Sequence, residues 1–176
     1  MRGWCFISLV RLSGLLAVAM LASCVTQSPQ AQNDYVTAYY EALAAYERSD
    51  YGTALLMFKH LASDGDALSQ LYVGSMYQRG EGVAQDEAAA VRWYRRAAEQ
   101  GNVDAQVNLA EMYSNGSGVD RDAVQAYAWW SVAAALGEQS APSSRSIIAR
   151  HMSPQQIKEA DRRADDILKS LSTVMR

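Results

Sequence analysis

The residues that could do chemistry in this chain are few. His60 and His151 are its only imidazoles, and neither stands near a cysteine cluster or an HExxH pattern. His60 falls in the last turn of an expected helix, where the macrodipole favours a cation, which is a structural role. Gly116-Ser117-Gly118 has the outline of a nucleophile elbow. Such a turn needs a strand before it, and the pattern before Ser117 is helical. Asp64 and Asp66 flank Gly65, and Asp120 and Asp122 flank Arg121. Neither run has the about 12-residue ligand spacing of a calcium loop, and helix capping accounts for most of these carboxylates. Tyr127 with Trp129-Trp130 could stack a sugar or a peptide, but their register with Trp93-Tyr94 favours core packing. No catalytic residue, cofactor or metal site is expected.

The elements that would position any site are repeated. Residues 66–101 and 102–137 align without a gap at a period of 36, with identities at Gln70/106, Met76/112, Tyr77/113, Gly80/116, Gly82/118, Val83/119, Asp86/122, Ala90/126, Trp93/129, Ala97/133, Ala98/134 and Gly101/137. Unrelated segments would share roughly two or three. A unit of this size cannot bury its apolar face alone, so neighbours must stack into a solenoid.

Within each unit the spacing reads helix–turn–helix. Ala67, Gln70/Leu71, Gly74 and Tyr77 stripe a first helix at i, i+3/4, i+7 and i+10. Gly74 and Ala110 are small, which lets a second helix approach. Gly80 and Gly116 stop the first helix where a left-handed residue is needed. Val83 and Val119 should fold back onto the hairpin. Asp86 and Asp122 stand where an N-cap belongs, and Gln125 three residues after Asp122 suggests a capping-box-like pair. Ala90, Trp93/Tyr94 and Ala97, repeated as Ala126, Trp129/Trp130 and Ala133, stripe the second helix.

Half of a further copy lies upstream, with Asp50, Ala54, Met57-Phe58 and Gly65 matching Asp86, Ala90, Trp93-Tyr94 and Gly101. Val36, Tyr39/Tyr40, Leu43 and Tyr46/Glu47 then stripe its partner helix, joined by a short Arg48-Ser49-Asp50 turn. After Gly137 the pattern decays. Ser143 to Met152 reads as a degenerate first helix, and Ser153-Pro154-Gln155-Gln156 starts a last one: serine N-cap, proline at N1, glutamine at N3. Ile157, Ala160, Ala164, Ile167/Leu168 and Leu171 form its apolar stripe. Lys158, Glu159, Asp161, Arg162, Arg163, Asp165 and Asp166 give the polar outer face that a terminal unit needs.

Taken together, Gly74-x-x-Tyr77, Gly80-x-Gly82-Val83-x-x-Asp86 and Ala90-x-x-Trp93-Tyr94-x-x-Ala97-Ala98-x-x-Gly101, each with its copy, resemble the Sel-one-like repeat (SLR) family, relatives of tetratricopeptide repeats. The resemblance covers about residues 35–137. Val103 in place of Ala67 and Trp130 in place of Tyr94 depart from it without threatening the fold. It implies a right-handed, all-α superhelix, an α/α solenoid used as an adaptor or scaffold, with no shared catalytic residues. Some secreted members of that family pin each hairpin with a cysteine pair, which this chain lacks.

At the amino terminus Arg2 and Arg11 precede the apolar run Leu12 to Ala22. The run is too short for a spanning helix, which needs about 20 residues, and reads as a secretory signal. It ends Leu21-Ala22-Ser23-Cys24, which resembles the bacterial lipobox whose cysteine is diacylated before cleavage in front of it. Val25 rather than aspartate at the second mature position favours outer-membrane sorting by analogy with enterobacteria. The expected organisation is a signal peptide over 1–23, lipidated Cys24 with a polar tether over 24–33, and one solenoid domain over 34–175. That domain comprises hairpins 34–65, 66–101 and 102–137 and capping helices within 141–175.

Loss of Arg2 and Arg11 leaves 14 basic against 19 acidic residues. The mature chain is thus mildly acidic, with no basic stripe, and a poor partner for nucleic acid. Cys5 leaves with the signal and Cys24 carries lipid, so no disulfide holds the fold. In stacked hairpins the first helices line the concave face. Their non-register positions, Tyr72, Ser75 and Gln78 in one unit and Asn108, Glu111 and Ser114 in the next, are the expected contacts for a protein partner. Tyr72 leads them, because tyrosine is enriched at binding hot spots. The expected function is a lipid-anchored, periplasm-facing adaptor of the cell envelope. The alternative is a protein that binds or acts on peptidoglycan, since relatives of this fold have been linked to glycans; hydrolysis would need a paired-acid cleft absent from the pattern.

Overall fold

The computed structural model describes residues 29–174; the segment expected to be a signal peptide, and Cys24, lie outside them. Eight helices follow one another, with no strand among the described residues: α1 (Pro29–Glu47), α2 (Tyr51–Ser63), α3 (Ala67–Arg79), α4 (Glu87–Ala98), α5 (Val103–Asn115), α6 (Ala123–Ala135), α7 (Ala141–Ala149) and α8 (Pro154–Val174). Each helix from α1 to α6 packs against the next. The result is an all-α solenoid of stacked helix–turn–helix units. Helix α1 begins at Pro29, inside the segment expected to be a tether. Proline at the first helical position gives up a donor that would have no partner there, and Gln30, Ala31 and Gln32 continue a helix readily.

Short polar side chains start the helices. Asp50, Asp66, Asp86, Asn102 and Asp122 each accept hydrogen bonds from the first turn of the helix that follows, at 3.3, 2.6, 2.8, 2.9 and 2.9 Å. The capping box expected at Asp122 and Gln125 is incomplete. The Asp122 N–H already donates to the Tyr113 carbonyl at 2.9 Å, and the Asp86 N–H to that of Tyr77 at 3.0 Å, so neither leaves a donor for a reciprocal bond. Ser153 and Gln156 do close a full box, at 2.8 and 3.2 Å.

Three contacts recur at the 36-residue register and join each unit to the one before. The side-chain amide of buried Gln70 donates to the Ala62 carbonyl at 3.1 Å, and that of Gln106 to the Ala98 carbonyl at 3.2 Å. The loop between first and second helix lies on the first turn of the preceding second helix. A Cβ on Gly82 would stand 2.4 Å from the Tyr51 carbonyl oxygen, and one on Gly118 would stand 2.3 Å from the Glu87 carbonyl carbon. Finally, Lys59 sits 4.9 Å from the Tyr77 ring and Arg95 5.9 Å from the Tyr113 ring, cation over aromatic face.

The core is built mostly from alanine and aromatics. Ala42, Ala54, Phe58, Val73 and Met76 form its amino-terminal part. Tyr94, Leu109, Met112, Trp130 and Val132 lead the larger remainder, and Tyr77 touches both. Gly74 has the role its size suggests, since a Cβ there would meet the Tyr94 ring at 2.7 Å. Val83 and Val119 are half-buried against the hairpins. The α1 stripe differs from expectation. Ala42 and Ala45 are its buried positions, while Val36 and Tyr40 face out. Helices α7 and α8 make their main contacts with α6, where Ala160, Ala164 and Leu171 of α8 are buried.

Gly116 and Gly118 share a left-handed conformation, at φ 75° and 67°, but only Gly118 is pressed against backbone. Gly116→Ala should cost about 1 kcal/mol, and Gly118→Ala about 1–3 kcal/mol more, by urea unfolding. Equal losses would mean that the loop contact relaxes freely. A second test concerns Gln106. The Gln70 side-chain oxygen accepts from Gln100 at 2.8 Å, but the corresponding partner of Gln106 is Leu136, and the Gln106 oxygen is buried without a hydrogen bond. Leu136→Gln should stabilise by about 1 kcal/mol, read as a higher urea midpoint. An unchanged midpoint would show that this oxygen is already hydrated.

Candidate partner-binding surface

The first helices α1, α3 and α5 carry the positions expected to meet a partner. In α3 and α5 equivalent positions are 36 apart. The α1–α2 turn (48–50) is four residues shorter than its counterpart (80–86), so α1 aligns with α3 at an offset of 32. The packing supports that offset. Gly74, pressed on Tyr94, corresponds to fully buried Ala42, and Val73, which packs on the preceding unit, corresponds to solvent-facing Glu41.

A groove of about 370 Å³ opens along these helices, lined by Tyr46 of α1, by Leu68, Leu71, Tyr72, Ser75 and Arg79 of α3, and by Asp104 and Asn108 of α5. It brings together three of the six positions expected from the sequence: Tyr72, Ser75 and Asn108. Gln78 instead accepts a hydrogen bond from the Tyr94 hydroxyl at 2.7 Å, a phenol that burial pushes up to about 12. Glu111 is exposed on α5. Ser114 is half-buried, and its carbonyl accepts from Arg121 Nε at 2.9 Å.

Tyr72 is less free than its lack of register suggested. Its ring is stacked on Phe58 with centroids 4.6 Å apart, and Tyr39 and Tyr46 meet it edge-on at 6.4 and 5.7 Å. Half-buried among aromatics, it supports the groove as well as lining it. The exposed apolar residues beside it, Val36 and Tyr40 of α1 and Leu68 of α3, were not among the expected contacts. Val36 and Tyr40 were read as packing positions. Aligning α1 at the offset of 32, where Tyr40 meets Tyr72 and Val36 meets Leu68, was the available signal.

The residues first weighed for chemistry sit elsewhere. His60 is exposed, 3.5 Å from Asp64 on its own helix end. Gly116 to Gly118 form the joint between α5 and α6. Trp129 and Trp130 are buried in the core. Among the described residues no group of three or more His, Cys, Asp or Glu side chains could hold a metal, and no helix is long and apolar enough to cross a membrane. A second groove of about 550 Å³ runs between α8 and Arg95, Tyr113 and Trp129. Within it Glu159 accepts from Arg162 and Arg163, which hold its carboxyl down at about 2, and Arg162 also pairs with Asp166 at 2.9 Å. Arg95 meets only Tyr113, and Glu99 is in no ion pair among the described residues.

A solenoid of paired helices with this loop geometry defines a class, and comparison with known proteins narrows it. Residues 67–102 and 103–138 each match the family model of the Sel1 repeat. No curated protein matches it. Among solved structures it is similar to a protective antigen of uropathogenic Escherichia coli strains displaying an SLR fold. The two share 27% identity over 82% of this chain and 33% of that chain, with a TM-score of 0.73. It is also similar to a Sel1 repeat protein from Oxalobacter formigenes, at 37% identity over 52% of this chain and 27% of that chain (TM-score 0.51). It shares its fold with cysteine rich protein B of Helicobacter pylori at 18% identity, over 64% of this chain and 95% of that chain (TM-score 0.51). The chain thus spans about a third of the first of these structures. Sel1 repeats in general are scaffolds for protein interaction rather than catalysts.

The aromatic stack separates support from contact. Tyr72→Ala should cost about 2 kcal/mol, less than a fully buried aromatic, while Tyr72→Phe should stay within about 1 kcal/mol. Thermal unfolding of both variants checks this, and an unchanged midpoint for Tyr72→Ala would contradict the packing.

Proposed function

We propose that this protein is a non-enzymatic adaptor of a bacterial cell envelope, anchored through lipid on Cys24, facing the periplasm and sorted to the outer membrane. It binds a protein partner across the first helices, in the groove between Tyr72, Ser75 and Asn108. The observation that carries this reading is the groove itself, formed by α1, α3 and α5, with the exposed apolar side chains of Val36, Tyr40 and Leu68 on the same helices. Contiguous apolar surface of that kind marks interaction sites. The anchor rests on Leu21-Ala22-Ser23-Cys24, and diacylation would hold the chain stably, at about 0.8 kcal/mol per buried methylene.

In-cell photo-crosslinking from positions 108 and 111, with exposed Asp165 on α8 as control, should give a discrete protein band from the groove positions alone. The same result at position 165 would remove the assignment. No band from any position, together with retention on purified sacculi, would point to peptidoglycan as the ligand. Metabolic labelling with palmitate tests the anchor separately. Cys24→Ala should abolish the label and release the protein from the membrane fraction, and retained label would overturn lipidation at Cys24.

A further inference from the structure

The adaptor reading leaves the partner's chemistry open, and the groove's own gradient addresses it. At three equivalent levels the residues run Val36, Leu68, Asp104; Tyr40, Tyr72, Asn108; and Leu43, Ser75, Glu111, from α1 through α3 to α5, with Tyr72, Asn108, Leu43 and Ser75 half-buried and the rest exposed. Over these levels apolar character falls and acidity rises from α1 to α5; the level after them, Glu47, Arg79 and Asn115, leaves that trend. The apolar end is open to solvent, with Tyr40 63%, Val36 44% and Leu68 40% exposed. At the other end Asp104 and Glu111 lie two turns apart on α5, both exposed. Neither makes an ion pair or a hydrogen bond among the described residues. Arg79, the groove's own cation, is engaged by the Tyr46 hydroxyl at 3.2 Å and by Glu81 at 3.8 Å, so it does not neutralise them.

We infer that the partner presents an extended segment with apolar side chains at one end and lysine or arginine at the other, laid across the first helices. Its apolar half covers Val36, Tyr40, Leu68 and Tyr72, and its basic half meets Asp104 and Glu111. Neighbouring helices lie roughly 10 Å apart. Crossing from α1 to α5 therefore takes about six extended residues at roughly 3.3 Å each. The apolar contact supplies affinity, and the carboxylates fix direction and speed encounter. This inference rests on the adaptor reading and sharpens it.

The test is fluorescence anisotropy with the full-length protein in detergent and two labelled 12-residue peptides. Both share a Leu-Phe-Val half; one ends in Lys-Arg-Lys and the other in Glu-Asp-Glu. The basic peptide should bind at least tenfold more tightly, and high salt should erase most of that difference. Asp104→Lys with Glu111→Lys should reverse the preference, and Tyr40→Ser should weaken both peptides. All three positions are exposed, so the unfolding midpoint should hold. Equal affinities, a preference for the acidic peptide, or no binding would each overturn the inference. Crosslinking from positions 108 and 111 then separates the two claims. A partner band despite such a result leaves an adaptor with different partner chemistry, whereas no band removes both.

Discussion

The structure depends on a backbone contact that tolerates no side chain. Gly82 and Gly118 lay the inter-helix loop directly on the first turn of the second helix of the preceding unit. A Cβ at either position would overlap a carbonyl group, so the approach is available to glycine alone. The contact fixes how far each unit is rotated and displaced from the last. Gln70 and Gln106 then tie the first helix of one unit to the final carbonyls of the other, using donors that burial makes expensive to leave unmade. No disulfide within the described residues shares this burden. Stacking geometry is therefore set by two short-range contacts per junction, and the alanine-rich interior fills what remains.

From that geometry the groove follows. Once the junctions are fixed, α1, α3 and α5 come into line, and residues separated by 32 or 36 positions become neighbours on one face. One flank of α3 and of α5 is committed to the unit before it, through Val73 and Met76 or Leu109 and Met112. Another is committed to its own second helix, through Gly74 on Tyr94. Only the remaining face can change without disturbing a junction. Tyr72 marks the limit of that freedom, since its stack on Phe58 makes it part of the wall as well as part of the surface.

Much of this was legible in the sequence, for identifiable reasons. Glycines at 80, 82, 116 and 118 and aspartates at 86 and 122 answer local demands, a left-handed residue or a free N–H, that are met by few residue types and so repeat visibly. Packing between units was harder to read. Lys59 over Tyr77 and Arg95 over Tyr113 are one contact made with two different cations, so no identity announced it. Gln125 illustrates the opposite failure: its spacing suits a capping box, but the Asp122 N–H is used by Tyr113, a residue nine positions upstream across the loop. The outward Val36 and Tyr40 were mistaken for packing residues because a helical stripe does not say which of its sides is covered. The α1 position that matches buried Val73 carries exposed Glu41 instead, and Val36 and Tyr40 beside it are exposed.

The same junction logic explains why the pattern decays after Gly137. The next position in the glutamine register is Pro142, which offers no side-chain amide, and Leu136 stands where Gln100 stood. No clasp of the earlier kind can form, so α7 and α8 settle on α6 by a different geometry. Helix α8 brings its own remedy for the exposed end. Ala160, Ala164 and Leu171 cover α6, while Glu159, Arg162, Arg163 and Asp166 neutralise one another on the outside. Lys158 and Asp165 stay outside these pairs on the same helix. The groove on α1, α3 and α5 differs in kind, with exposed apolar residues at one end and unpaired carboxylates at the other. The two faces of this solenoid are therefore chemically unequal: one is knit by ion pairs within a single helix, and the other sets an apolar stretch beside carboxylates.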